Sequence, residues 1–82
     1  MNEQEILNKL IDIVVESIDD ETIREKINPD TNIFTDLAIS SISILYVAMG
    51  IEDEFNVKLT NDDVKKYQLV KEWVSYIKSK IN

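Results

Sequence analysis

The sequence predicts an all-α fold, a small bundle of three main helices plus one short helix, and two observations carry that prediction. Helix breakers are scarce, with one Gly and one Pro among 82 residues, so little interrupts helical runs. Apolar residues recur every three or four positions in three long stretches, the period of a helix that buries one face. The length fits one domain spanning residues 1–82. A domain this small has little surface to bury, and without cysteine no disulfide can assist it, so packing alone must hold it.

The first helix is marked by Ile6, Leu10, Val14 and Ile18, flanked by the row Leu7, Ile11 and Val15. Asn2 can cap it, with Glu5 three positions on, and Asp19-Asp20 ends the pattern. Asp20 to Lys26 is short and charged and can form one turn of helix around Ile23. Ile27 to Ser40 is read as a long ordered loop: Pro29 biases Asn28 towards extended backbone, and Asp30, Thr31 and Asn32 are turn formers. Ile27, Ile33 and Leu37 are too apolar for a free loop and are expected to tuck into the core.

The second helix begins at Ser40-Ser41, with Ser40 as N-cap and Ser41 in the first turn, and runs to Phe55. Gly50 within it costs roughly 1 kcal/mol against alanine, which points to close packing or a partner contact. Val57-Lys58-Leu59 could pass for a strand, but nothing nearby offers it a partner. Thr60 with Asp63 reads as a capping pair for a short helix ending near Tyr67. Val70, Trp73, Val74, Ile77 and Ile81 define the last helix, and Lys78 and Lys80 suit its C-terminal dipole. Ile6, Leu10, Val14, Ile42, Leu45, Val70, Val74 and Ile77 are expected to face one core, as are Phe55, Trp73 and Tyr76. Met49 fits either the core or a partner contact.

Composition narrows the function. Sixteen Asp+Glu against nine Lys+Arg give a net charge of −7. Nucleic acid and an anionic membrane are unsuited to such a surface, whereas a basic protein surface complements it. No residue is His or Cys, which removes the commonest general base, metal ligand and thiol nucleophile. No enzymatic activity is therefore expected. The acidic pairs Asp19-Asp20 and Asp62-Asp63 lack calcium-loop spacing, so no metal site is assigned. The N-terminus lacks the charge and apolar run of a signal peptide, and no apolar run is of membrane-spanning length. The expectation is a soluble, cytoplasmic monomer.

Ile27-Asn28-Pro29-Asp30-Thr31-Asn32-Ile33 resembles the loop that precedes the attachment site in acyl and peptidyl carrier proteins. Asp36-Leu37-Ala38-Ile39-Ser40-Ser41-Ile42 is similar to that family's Asp-Leu-Gly-x-Asp-Ser-Leu signature. Met49-Gly50-Ile51-Glu52-Asp53-Glu54-Phe55 looks like the acidic end of the family's second helix, and Leu59-Thr60-Asn61-Asp62-Asp63 like its turn into helix three. The resemblance covers nearly the whole chain, and its specificity lies in the order and spacing of the pieces.

The resemblance implies an acyl-carrier-like bundle that acts as a covalent tether. Ser41 would bear a 4′-phosphopantetheine whose thiol holds acyl intermediates of fatty acid, polyketide or related biosynthesis. The implied partners are a phosphopantetheinyl transferase and acyl-transferring or acyl-modifying enzymes with basic docking surfaces. Glu52, Asp53 and Glu54 would meet those surfaces; Tyr46, read from its own apolar character near Ser41, is expected to make a partner contact near the arm. The alternative is a carrier-like interaction module that is never modified. Three departures from the family pattern stand out: Ser40 replaces the Asp before the serine, Ser43 and Tyr46 replace acids two and five positions after it, and Ala38 replaces a glycine.

Overall fold

The computed structural model describes residues 1–37 and 39–81. Helix α1 spans Glu3–Ile18, α2 Ser41–Phe55, α3 Asn61–Lys66 and α4 Val70–Ile81, and a 3-10 helix covers Glu21–Lys26. No strand forms among the described residues; there is only an isolated antiparallel bridge between Asn32 and Leu69.

The helix starts follow from local chemistry. The Asn2 side chain accepts from the Glu5 backbone N–H at 2.8 Å, and the Glu5 carboxylate accepts from the Asn2 N–H at 3.2 Å. The pair satisfies donors that an α-helix otherwise leaves open. Thr60 and Asp63 make the same reciprocal pair at the start of α3. Helix α1 stops at Asp19, which takes a left-handed conformation with φ 59°. Asp20 then caps the 3-10 helix through the Thr22 N–H.

Helix α1 packs against both α2 and α4. Ile6, Leu10, Val14 and Val15 of α1 meet Ile44, Val47, Ile51 and Phe55 of α2 and Val70, Trp73, Val74 and Ile77 of α4 in one buried cluster. Trp73 sits edge-on to Tyr67 and Tyr76, with ring centroids 5.6 and 6.3 Å away. Tyr76 is only half-buried, and its hydroxyl donates to Asp63 at 3.0 Å, tying α4 to α3.

Residues 27–37, after the 3-10 helix, are as ordered as their composition predicts. Ile27 and Ile33 are buried, and Leu37 packs against the cluster. Ile33 N–H donates to the Gln68 carbonyl, while Val70 N–H and Lys71 N–H donate to the carbonyls of Thr31 and Pro29, all at 2.9 Å. The loop thus satisfies open amides at the start of α4, and Glu72 takes those of Gln68 and Leu69. No strand forms at 57–59; the Leu59 N–H donates instead to Glu52 at 2.8 Å.

One expectation is corrected. Ile42 and Leu45 do not enter the core: they are 66% and 55% exposed. Helix α2 is apolar on two stripes, and periodicity alone does not say which faces inward. The stripe Ile44, Val47, Ile51 and Phe55 packs towards the core, which turns Ile42, Leu45 and Met49 to solvent. Gly50 marks the close packing its cost suggested, since a Cβ there would stand 2.7 Å from Ile13 Cγ2.

Candidate functional site

The predicted site centres on the start of α2. Ser40 is the N-cap in extended conformation, and its Oγ accepts from the Ser43 N–H at 3.1 Å. The Ser40 hydroxyl also donates to the Ser43 Oγ at 3.1 Å. Capping frees Ser41 to be the first helical residue, and it is exposed. Among the described residues, no partner engages the Ser41 hydroxyl. The first turn of α2 holds no acid. An anion on Ser41 would therefore face the positive end of the helix dipole with no carboxylate in that turn opposing it. On these grounds the residues present fit a phosphodiester at Ser41. Ala38 lies outside the described residues.

Below Ser41, the solvent side of α2 carries an apolar stripe. Ile42, Leu45, Tyr46 and Met49 each expose more than half of their surface. They follow helical spacing and stand on one face. Met49, which the sequence left between core and surface, belongs to this stripe. Tyr46 also lines a groove between α1 and α2, shared with Ile13, Glu16, Ser17 and Gly50.

The three acids at the far end of α2 meet different surroundings. Glu52 is half-buried and accepts from the Leu59 N–H, fixing the turn that leads to α3. Glu54 pairs with Lys9 across the α1–α2 contact, and its carboxylate holds the Lys9 ammonium above the ordinary lysine pKa. Asp53 is exposed, and no ion pair involves it among the described residues. The run of three acids thus offers one uncommitted charge. Sequence spacing does not reveal this, because Lys9 lies 45 positions from Glu54.

One member of each other acidic pair serves the fold. Asp20 caps the 3-10 helix, Asp63 completes the capping box that Thr60 opens at α3, and no cluster of acids among the described residues is placed to hold a metal ion. Among those residues, no helix is long and apolar enough to cross a membrane.

Comparison with known proteins places this geometry in context. A family model described as the phosphopantetheine attachment site matches residues 4–77. The chain is 43% identical to an acyl carrier protein of Lactobacillus johnsonii, with both chains fully covered. It is 35% identical to an acyl carrier protein of Lactobacillus acidophilus over 96% of each chain. It is 33% identical to an acyl carrier protein of Cyanidium caldarium, over 100% of this chain and 93% of that one.

Proposed function

The chain belongs to the acyl carrier protein family, and from that premise we propose that Ser41 is the residue to which its phosphopantetheine is joined. One observation carries the reading: Ser41 is an exposed serine with an uncommitted hydroxyl, in a capped first helical turn free of acid. The chain is a carrier and not an enzyme. The group supplies, when bound, the thiol that this cysteine-free chain lacks, and acyl cargo is held there as a thioester.

Attachment forms a bond between Ser41 Oγ and the pantetheine phosphate of coenzyme A. The adenosine bisphosphate leaves and the serine proton is given up. The chain has no His or Cys, and the first turn of α2 has no carboxylate to take that proton. The base therefore belongs to a phosphopantetheinyl transferase. What the chain contributes is position: the Ser40 cap fixes the helix start and so the direction in which Ser41 Oγ is offered.

Partners that load or modify the cargo dock on α2. The stripe of Ile42, Leu45, Tyr46 and Met49 supplies apolar contact next to the arm. Glu52, Asp53 and Glu54 present negative charge to basic enzyme surfaces, with Asp53 the acid most available for a new pair. Residues 1–82 work as one monomeric, cytoplasmic carrier domain for fatty acid, polyketide or related biosynthesis. Incubation with coenzyme A and a broad-specificity transferase should add the mass of one phosphopantetheine, and Ser41→Ala should gain none. A Ser41→Ala protein that still gains the mass would move the attachment elsewhere.

A further inference from the structure

The three tyrosines of this chain are not used alike. Tyr67 and Tyr76 pack on each other with ring centroids 4.7 Å apart, and each has a lysine ammonium 5.5 Å from its ring centre. Tyr46 has neither. It exposes 56% of its surface, and among the described residues no aromatic ring, cation or hydrogen bond engages it. Its ring walls the open trough between α1 and α2, of about 390 Å³, which Ile13, Glu16, Ser17 and Gly50 complete. Gly50 brings no side chain to fill that space, and Ile13 rises to where a Cβ would stand. Lys9 pairs with Glu54 and Ile13 faces Gly50, so the two helices run antiparallel. Ser17 and Glu16 therefore fall beside Tyr46, towards the Ser41 end of α2. The Ser17 hydroxyl donates to the Ile13 carbonyl at 2.7 Å, which leaves its oxygen as an acceptor.

Charge decides what the trough takes. Glu16 is the one charged residue in its lining. It is exposed, and no ion pair involves it among the described residues. The adjoining hollow shares Ile13 and Glu16 and adds Lys9, Asp12 and Glu54. Both nearby cations are committed: Lys9 to Glu54, and Arg24 to Asp12 and Glu21. Glu16 is left unanswered. A carboxylate beside a free aromatic face suits a guanidinium, whose plane stacks on the ring while its fork meets the oxygens. An open trough takes a side chain of a protein surface better than a small molecule, which needs enclosure. A second copy of the chain is a poor donor, because its one arginine is Arg24, already held by two acids.

We propose that this trough receives an arginine side chain of the phosphopantetheinyl transferase, stacked on Tyr46 and paired with Glu16, so that docking extends from α2 onto α1. The proposal rests on the reading that partners dock on α2. Tyr46 joins the two surfaces, since it belongs to the apolar stripe and also walls the trough. Five helical residues separate it from Ser41, about 7.5 Å along the axis. An arginine seated there holds the transferase beside the serine without touching the reacting atoms. Glu16 is thus a positioning residue, and its loss weakens binding of the carrier and spares the chemical step.

The test is steady-state modification of the full chain by the broad-specificity transferase with coenzyme A. Glu16→Gln and Tyr46→Leu should each raise KM for the carrier about fivefold with kcat unchanged. The Glu16→Gln effect should shrink as salt is raised. Glu25→Gln removes the same charge from an exposed site on the 3-10 helix and should leave KM unchanged. A photoreactive benzoylphenylalanine in place of Tyr46 should crosslink to a transferase segment that contains an arginine. Replacing that arginine with alanine should cancel the effect of Glu16→Gln. An unchanged KM for Glu16→Gln, an equal rise for Glu25→Gln, a crosslink to a segment without arginine, or full additivity with the arginine variant would overturn the proposal. Leu45→Ala separates it from the reading beneath it. If Leu45→Ala raises KM and Glu16→Gln does not, docking on α2 stands and its extension onto α1 fails. If neither raises KM, both fail. A wild type that gains no phosphopantetheine refutes the attachment reading and this proposal with it.

Discussion

At Gly50, two small energies of opposite sign can be weighed. An added Cβ would gain roughly 1 kcal/mol of helix propensity. It would also stand 2.7 Å from Ile13 Cγ2, on a branched side chain that cannot swing clear. Overpacking of this kind costs about 1–3 kcal/mol, so Gly50→Ala should lower stability despite improving the helix. Adding Ile13→Ala should return part of the loss, and chemical denaturation of the double-mutant cycle measures how much. Full additivity would mean that the two sites do not touch. The sequence flagged Gly50 through its helix penalty but could not name Ile13, because the contact joins two helices. The same limit applies to Glu54. Its partner Lys9 is remote in sequence, whereas the caps Asn2, Ser40 and Thr60 were legible because each acts within three positions.

Among the elements, α2 is where periodicity misled. With apolar residues on two sides, both stripes satisfy a helical pattern, and only packing against α1 decides between them. Leu45→Ala should therefore move stability by no more than about 0.5 kcal/mol. Ile51→Ala, at a fully buried position, should cost about 2–5 kcal/mol. Equal melting shifts for the two would reverse the assigned phase. Elements also carry a pH signature through their caps. The Thr22 hydroxyl and backbone N–H lower the pKa of Asp20, and the Thr60 N–H with the Tyr76 hydroxyl lowers that of Asp63. A carboxylate depressed by folding adds stability above its unfolded pKa of about 4, and that stability is lost as pH falls through the lower folded value. Burial and the Asp63 partner raise the Tyr76 pKa. The neutral phenol thus stabilises the fold below about pH 10, and the gain is lost as pH rises through the higher folded value. Asp20→Asn with Asp63→Asn should keep a capping oxygen and flatten the acid limb of the melting temperature against pH. An unchanged acid limb would remove these two groups from the account.

For the whole molecule, the placement of charge and apolar surface sets distinct kinetic roles for residues in a docked complex. Asp53→Asn removes an exposed, unpaired charge and should slow association and reduce its salt dependence. Glu54→Gln breaks a pair with Lys9 and should weaken the link between α1 and α2 more than it changes encounter. Tyr46→Ala removes an aromatic anchor and should raise the dissociation rate. Stopped-flow association at two salt concentrations separates the three, and matching profiles for Asp53→Asn and Tyr46→Ala would contradict the division. The path of the chain between the 3-10 helix and α2 has a further consequence. A long connection without regular structure is ordinarily where a protease enters. Here residues 29–33 are fastened to residues 68–71 by backbone hydrogen bonds, with Ile27 and Ile33 as buried plugs. Cleavage within that stretch requires prior release of the first turn of α4, so nicking there should be as slow as global opening, and the amides of Ile33, Val70 and Lys71 should exchange with deuterium at that same slow rate.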